Sequence, residues 1–593
     1  MAEPSSPRET AIPHVLREYA FLGDGHRGAL IGPRGDIVWM CCPRWDSDAV
    51  FSALVGGQGS YSVRPADPWF VWGGYYEDGS LIWRSRWSTS DGFVECREAL
   101  AFPGDPHRAV LLRRVRALDA PCTIAVRLDP RADFGRFGMR DVRIDEDVVE
   151  ARSGPLRLRY RGPKLRAERG SGALVGELDL EAGQYEDLVL EVGDRPFGDE
   201  PVDADLAWEA TKNAWEKVAP ACDETAAPRD ARNAFVVLRG LTTPGGGMAA
   251  AATTSLPERA DTGRNYDYRY AWIRDQCLAG IAVAAHGPHE LLDDAVSFVA
   301  DRLLEDGSRL KPAYCVDGSG VPDERVLKGL RGYPGGADKV GNWVNGQMQL
   351  DAFGESLLLF AAAQRRGALS SEARRAVDAA VAAIEQLWDT PDAGIWELEP
   401  DWWAESRLEC VAGLRQIAES GIAGDAGQAA RWQSLADHLL AETSRRSTHP
   451  SGRWQRSPTD ERVDAALLLP GIRGALAPSD PRLDATLDAV LGELESDGYC
   501  YRYRHDDRPL SEAEGAFLLC GFVASLALAE QGRPNRAVRC FERNRTACGP
   551  PGLFAEEYDV GQRQLRGNLP QAFVHALLLE CAVRLGPDEA QDR

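Results

Sequence analysis

The sequence predicts two structural classes in one chain: an N-terminal antiparallel β-sandwich followed by a ring of paired helices. Between Gly28 and Val192, short apolar or alternating runs are broken by Gly, Pro and Asp. Beyond Arg229 the chain becomes rich in Ala, Leu and Arg with a period near 3.6 residues. At 593 residues it is also too long for one ordinary hydrophobic core, which implies two or more domains.

The segments Ala109–Leu112, Cys122–Leu128, Leu156–Tyr160 and Asp187–Val192 read as short strands at the regular spacing of a sandwich. Leu206–Trp215 has helical spacing and reads as a stiff connector. These patterns divide the chain into residues 1–203, a helical linker 204–228, and a helical domain 229–593. Helices are expected at 230–240, 272–285, 291–304, 350–366, 371–388, 404–419, 427–445, 483–495, 511–530, 534–545 and 569–585. Loops rich in Gly, Pro and aromatics separate them, which suits a ring of helix pairs better than a compact bundle. The informative residues lie in those loops, at one end of a rigid scaffold.

Composition excludes several function classes. A net charge of -23 without a basic stripe argues against a nucleic-acid partner. No apolar run of about 18 residues is present, and Met1–Pro7 lacks the basic flank and apolar core of a signal peptide. A cytoplasmic protein without membrane contact is expected. Its thirteen cysteines form no CxxC pair and no His-containing metal cluster, so they read as reduced, mostly buried residues. No metal and no cofactor is called for.

The run Arg264–Asp275 packs four aromatics, three arginines and two aspartates into twelve residues. Flat rings cover the C–H face of a pyranose, while Arg and Asp donate to and accept from its hydroxyls. The alternative is a solvated ion-pair cluster over packed aromatics. In Trp388–Glu397 a Pro/Gly turn places Glu397 directly after Ile395 and Trp396. Desolvation there would raise its pKa towards that of a general acid, although a helix-N-terminal Glu stabilised by the dipole is the plainer reading. Glu556, Glu557 and Asp559 form a second acidic loop ahead of the last helix. Paired with Glu397, it would supply the two carboxyl groups that hydrolysis of a glycosidic bond needs. A third loop, Gly332–Asp351, carries Trp343 and neutral amides, which are also ordinary turn residues.

Together these blocks resemble glycoside hydrolase family 15, and within it the bacterial trehalase-like branch. The resemblance runs from Glu18–Asp24 and Gly35–Ser47 through Thr253–Glu258, Arg264–Asp275, Val340–Asp351 and Gly394–Glu397 to Glu556–Gln571. It implies an (α/α)6 barrel after the sandwich and an inverting, exo-acting hydrolysis of an α-glucoside. By resemblance Glu397 is the general acid and Glu556 the general base, with Glu557 as the neighbouring alternative. Tyr268, Trp272, Arg274 and Asp275 match residues around the nonreducing sugar, and Trp343, Trp396 and Arg407 complete the expected binding set. Inversion requires the two carboxyls to stand roughly 6.5–9.5 Å apart.

The chain departs from that branch after the acid. Where the branch carries His-Ser-Lys and then Met-Cys-Trp, this chain has Glu405-Ser406-Arg407 and then Glu409-Cys410-Val411. If the family geometry holds, these residues face the leaving group. The loop Gly335–Lys339 is also shorter than expected and has lost an Arg. The expected partner is therefore a small carbohydrate whose aglycone the sequence does not name. A specialised glycosidase or transglycosylase, a silent sugar-binding protein, and a homo-oligomer all remain open.

Overall fold

In the computed structural model, residues 13–587 are described apart from 146, 261–262 and 368. The opening segment Met1–Pro7 lies outside the described residues. Two eight-stranded antiparallel sheets build the first part of the chain. One follows the order Ala20–Gly23, Gly28–Ile31, Asp36–Cys41, Ser60–Pro65, Cys122–Asp129, Leu174–Leu180 and Arg166–Ala167, with Ala49–Phe51 beside Asp36–Cys41. The other follows Met139–Asp145, Val148–Ser153, Leu156–Arg161, Tyr185–Gly193, Arg108–Ala117, Phe93–Leu100, Trp83–Ser88 and Val71–Tyr76.

Alternation explains how they pack. Ser60–Pro65 buries Tyr61 and Val63, and Trp83–Ser88 buries Trp83 and Trp87, so each strand turns one side-chain row inward. These rows share one core with Ile124, Val126, Leu188 and Leu190, contributed by both sheets. The helix Ala204–Val218 follows, its start capped by the Asp203 carboxylate, which accepts from the Leu206 amide. Its Trp215 stacks on Phe102 of the sandwich with ring centroids 3.9 Å apart.

The rest of the chain closes into an (α/α)6 barrel. The inner helices are Ile273–His286, Asp351–Arg365, Ala404–Glu419, Leu469–Ile472 with the 3-10 turn Ala465–Leu468, Leu518–Glu530 and Ala572–Arg584. Each packs on the next, and the last packs on the first. Outside them lie Pro228–Leu241, Glu290–Asp306, Ser371–Leu387, Ala426–Ser447, Pro481–Glu493 and Pro534–Arg545. Burial separates the two layers. Leu518–Glu530 is buried from Leu518 to Leu528, whereas Pro534–Arg545 buries only Ala537, Phe541 and Asn544.

The periodic segments expected from sequence correspond to these helices with one omission. The inner element 465–472 is short, because Pro470 and Gly471 interrupt its apolar run before helical periodicity can develop. Two starts also move. The segment 511–530 becomes a short turn Leu510–Ala513, a paired strand Ala516–Phe517 and a helix from Leu518, while 569–585 begins at Ala572, beyond Pro570. All thirteen cysteines are free thiols. Among the described residues, no helix is long and apolar enough to cross a membrane.

Candidate active site

Segments that precede the inner helices Ile273–His286, Asp351–Arg365, Ala404–Glu419, Leu518–Glu530 and Ala572–Arg584 line a cleft of about 320 Å³. The run from Arg264 enters it as extended chain, and its side chains alternate accordingly. Arg264, Tyr266 and Tyr268 line the cleft, while Asn265, Asp267 and Arg269 are buried behind them. Arg269 pairs with Asp267 at 2.7 Å and donates to the carbonyls of Trp45 and Ser47, fastening this wall to the sandwich. Tyr266 and Tyr268 stack at 6.1 Å, and Tyr268 meets Trp272 edge-on at 5.4 Å. A cleft-lining face and a packed ion pair are thus both present in the run, on opposite sides of one extended segment.

Glu397 sits in the turn Gly394–Glu397, not at a helix N-terminus, and has φ 55°. A non-glycine residue in that region is strained, and such strain is held only where the surroundings fix it. The Trp272 indole donates to Glu397 Oε1 at 2.8 Å, and Arg274 Nη1 lies 3.9 Å from the same oxygen. Burial raises the Glu397 pKa, with Arg274 and Trp272 opposing it. A carboxyl that keeps its proton towards neutral pH is suited to protonate a departing oxygen.

Glu556 lines the same cleft, and its Oε2 has no hydrogen-bond partner among the described residues. Burial holds its carboxyl well above the usual range, followed by the charges of Glu258 and Glu557, with Arg502 opposing. Its neighbour Glu557 is turned away: it accepts from the Gly515 amide at 2.8 Å and pairs with Arg264 at 3.2 Å. The geometry therefore separates the two adjacent acids, exposing Glu556 to the cleft and fixing Glu557 behind it.

Of the other expected residues, Arg274, Trp343 and Trp396 line the cleft. Trp343 is 51% exposed, which places it at the mouth. Trp396 is held by its indole donating to Asp464 at 2.9 Å. Three of the expected residues are not part of the cleft lining. Trp272 is fully buried and reaches Glu397 instead of the open cleft. Asp275 is also fully buried, and acts as the anchor of Arg274 at 3.0 Å. Arg407 lies outside the cleft, because its guanidinium is enclosed by Asp392 and the carbonyls of Trp388, Thr390 and Trp403. It ties together the loop that carries Glu397.

The altered segment does not face the cleft as expected. Val411 packs in the core, and Glu405 borders a separate small cavity beneath Trp396. None of residues 335–339 lines the cleft. Glu258, Arg502 and His505, to which the sequence pattern assigns no role, do line it. The stretch Tyr501-Arg502-Tyr503-Arg504-His505 repeats the aromatic-cation alternation of the first run, a signal that could have found it.

The sequence profile of Glycosyl hydrolases family 15 matches residues 236–583, more than half of the chain. The chain belongs to that family. A profile described as Trehalase-like, N-terminal, covers residues 10–212. The chain is 30% identical to a trehalase of Mycobacterium tuberculosis, over 98% of this chain and 91% of that protein. It is 26% identical to a trehalase of Thermoplasma volcanium, over 96% and 93% respectively. In fold it is similar to a bacterial glucoamylase solved with acarbose, with a TM-score of 0.70 at 14% identity, covering 100% of this chain and 98% of that one. The family 15 protein described here is a glycoside hydrolase, its sandwich followed by the helical barrel of that fold.

Proposed function

We propose that this family 15 protein releases the nonreducing-end glucose from a small α-glucoside, with trehalose the leading candidate, by single displacement with inversion. The observation that carries the reading is the placement of Glu397 and Glu556 in one cleft, in a chain similar to trehalases over nearly its whole length. In this reading Glu397 donates its proton to the departing glycosidic oxygen. Glu556 takes a proton from the water whose oxygen bonds to the anomeric carbon, so the C–O bond breaks on one face as it forms on the other. Tyr268 stays a neutral hydroxyl, since burial and the charges of Glu556 and Glu258 push its pKa well above the usual value. Its ring and hydroxyl suit the flank of a cationic, oxocarbenium-like transition state.

The changed segment Glu405–Val411 would favour a specialised glycosidase if it faced the leaving group. Val411 and Arg407 are buried away from the cleft, which removes that support.

Incubation with trehalose and a panel of malto- and isomalto-oligosaccharides, followed by NMR of the first product, tests the proposal. Equal amounts of β-glucose, from the attacked sugar, and α-glucose, from the departing one, are the expected first products of trehalose, and β-anomer alone is expected at the released end of the oligosaccharides; α-glucose alone as first product overturns inversion, and no hydrolysis of trehalose overturns the substrate. Glu397→Gln and Glu556→Gln are each expected to lower kcat by about 10²–10⁴-fold with an unchanged melting profile.

A further inference from the structure

We infer that Glu258 is a positioning residue for the water-activating step, its fixed carboxylate standing beside Glu556 and setting how strongly Glu556 holds the proton it takes. This rests on the assignment of Glu556 as the base.

The surroundings hold Glu258 in place. Ser255, three residues earlier, has φ 66° and exchanges hydrogen bonds with the Lys339 backbone through its hydroxyl. The Glu258 amide donates to the Arg264 carbonyl at 3.0 Å, and the Pro257 carbonyl accepts from the Gly567 amide at 2.9 Å. Asn568 joins the same strands, accepting from the Thr253 hydroxyl and donating to the Tyr266 carbonyl at 2.9 Å each. The Glu258 carboxylate is held at both oxygens. Oε2 accepts from Arg264 at 2.6 Å and Oε1 from the Tyr268 hydroxyl at 3.3 Å. Glu258 is only 4% exposed, yet it lines the cleft.

Gly567 brings the two acids together. It has φ 83°, and a methyl group there would stand 3.4 Å from Glu556 Cβ and 3.6 Å from Glu258 Cγ. The positive φ favours glycine there, so no side chain stands between the two acids at that position. Titratable and charged groups face Glu556 from each neighbouring segment: Glu258 from its own loop, Glu557 from the adjacent position, Arg502 from the 499–503 segment, Tyr266 and Tyr268 from the run that begins at Arg264, and Arg274 from the first inner helix. Glu258 touches the Tyr268 hydroxyl and shares Arg264 with Glu557, which makes it the link between the sugar wall and the base. A carboxylate held beside another negative charge is the stronger base, and a stronger base takes a proton from water more readily.

The test uses the full chain with trehalose and the pH dependence of kcat/KM. Removing the charge in Glu258→Gln is expected to move the acid limb to lower pH by about one unit and to lower kcat by about tenfold at the optimum. Glu258→Asp keeps the charge but withdraws it by one methylene, so its limb moves the same way by less, which covers the case in which the amide does not fold. An unmoved acid limb in these variants overturns the inference, since a merely structural role lowers the amount of active enzyme without moving it. If Glu258→Gln is too slow for a profile, binding of the basic iminosugar 1-deoxynojirimycin, read by tryptophan fluorescence against pH, reports the same ionisation, and an unmoved midpoint is equally fatal. Turnover retained in Glu556→Gln would instead remove the base assignment itself, so the two failures are distinguishable.

Discussion

Two clusters of buried carboxylates lie near the cleft, and they are neutralised by different means. Around Glu556, Glu258, Glu514 and Glu557 share Arg264 and Arg502: Arg264 pairs with all three, and Arg502 pairs with Glu514 at 2.6 Å. Within the barrel wall, Asp351, Glu355, Glu405 and Glu409 project from two inner helices packed closely together. A methyl on Gly354 would stand 2.6 Å from the Glu409 backbone, and one on Gly413 would stand 2.5 Å from the Gly354 carbonyl. The nearby arginines are engaged elsewhere, Arg407 by Asp392 and Arg473 by Glu580. Both oxygens of Asp351 and of Glu405, and one each of Glu355 and Glu409, have no hydrogen-bond partner among the described residues.

Burial first, and mutual repulsion with neighbouring acids, pushes Asp351 up to about 8 and Glu355 and Glu405 well above the usual range, while burial takes Glu409 up to about 7. Among the described residues, no His, Cys, Asp and Glu group has the geometry to hold a metal ion. The lesson is one of division. Guanidinium groups stand directly against the acids beside the cleft and only partly offset the burial that still takes Glu557 up to about 8, whereas the barrel-wall acids lack such pairs among the described residues and are balanced by protons.

The largest effect that can break this comparison comes from removing a cation. Arg502→Met takes one of the two guanidinium groups from the buried Glu514 and Glu557 and leaves them to Arg264, with His505 beside Glu514, which is expected to cost about 3 kcal/mol of stability. Urea denaturation monitored by circular dichroism measures it, with Glu409→Gln as the counterpart. That amide is expected to be close to neutral at pH 6, because it replaces a carboxyl that already carries its proton. Equal losses from the two variants would show that the clusters are balanced alike.

Stability against pH sharpens the same contrast. Acids whose folded pKa is raised bind more protons in the native than in the unfolded chain, so stability falls as pH rises between the two values. The contribution from Asp351 and Glu409 is full below the unfolded value near 4 and is lost as pH rises through about 7 to 8. The melting temperature is expected to drop by roughly 5 °C between pH 6 and 9. In the double variant Glu405→Gln/Glu409→Gln the drop should shrink to less than half. A drop of unchanged size would move its origin outside the barrel-wall cluster.

How much of this was legible in the sequence differs between the clusters. The switch from strands to helices is a change of period from 2 to 3.6, which local patterning carries, and it located every barrel helix except 465–472, where Pro470 and Gly471 leave too few residues to show a period. Glu397 and Glu556 stood out because each acid follows bulky apolar residues or other acids in a loop. Glu258 lies alone in Thr253–Glu258, and its meaning comes from Gly567, more than three hundred residues away. Glu405 and Glu409 were visible as departures, but a buried face and a cleft face of one helix look alike before the ring closes. Arg407 is ambiguous for the same reason, since an arginine reaching a cleft and an arginine gripping a loop from behind share one local sequence.

The smallest effect concerns what holds the cation-balanced cluster together. Tyr268→Phe removes the hydroxyl that donates to Glu258 Oε1 over a long 3.3 Å contact while leaving the ion pairs of Arg264 and Arg502 in place. If charge balance dominates, the loss is that of one hydrogen bond, about 0.5–1.5 kcal/mol by denaturant titration. The ring remains, so packing against Tyr266 and Trp272 is retained and does not confound the value. A loss as large as that of Arg502→Met would mean that the hydroxyl network, not the guanidinium charges, keeps these acids together. The contrast with the proton-balanced cluster would then lie in hydrogen bonding, since the barrel-wall acids lack such a donor.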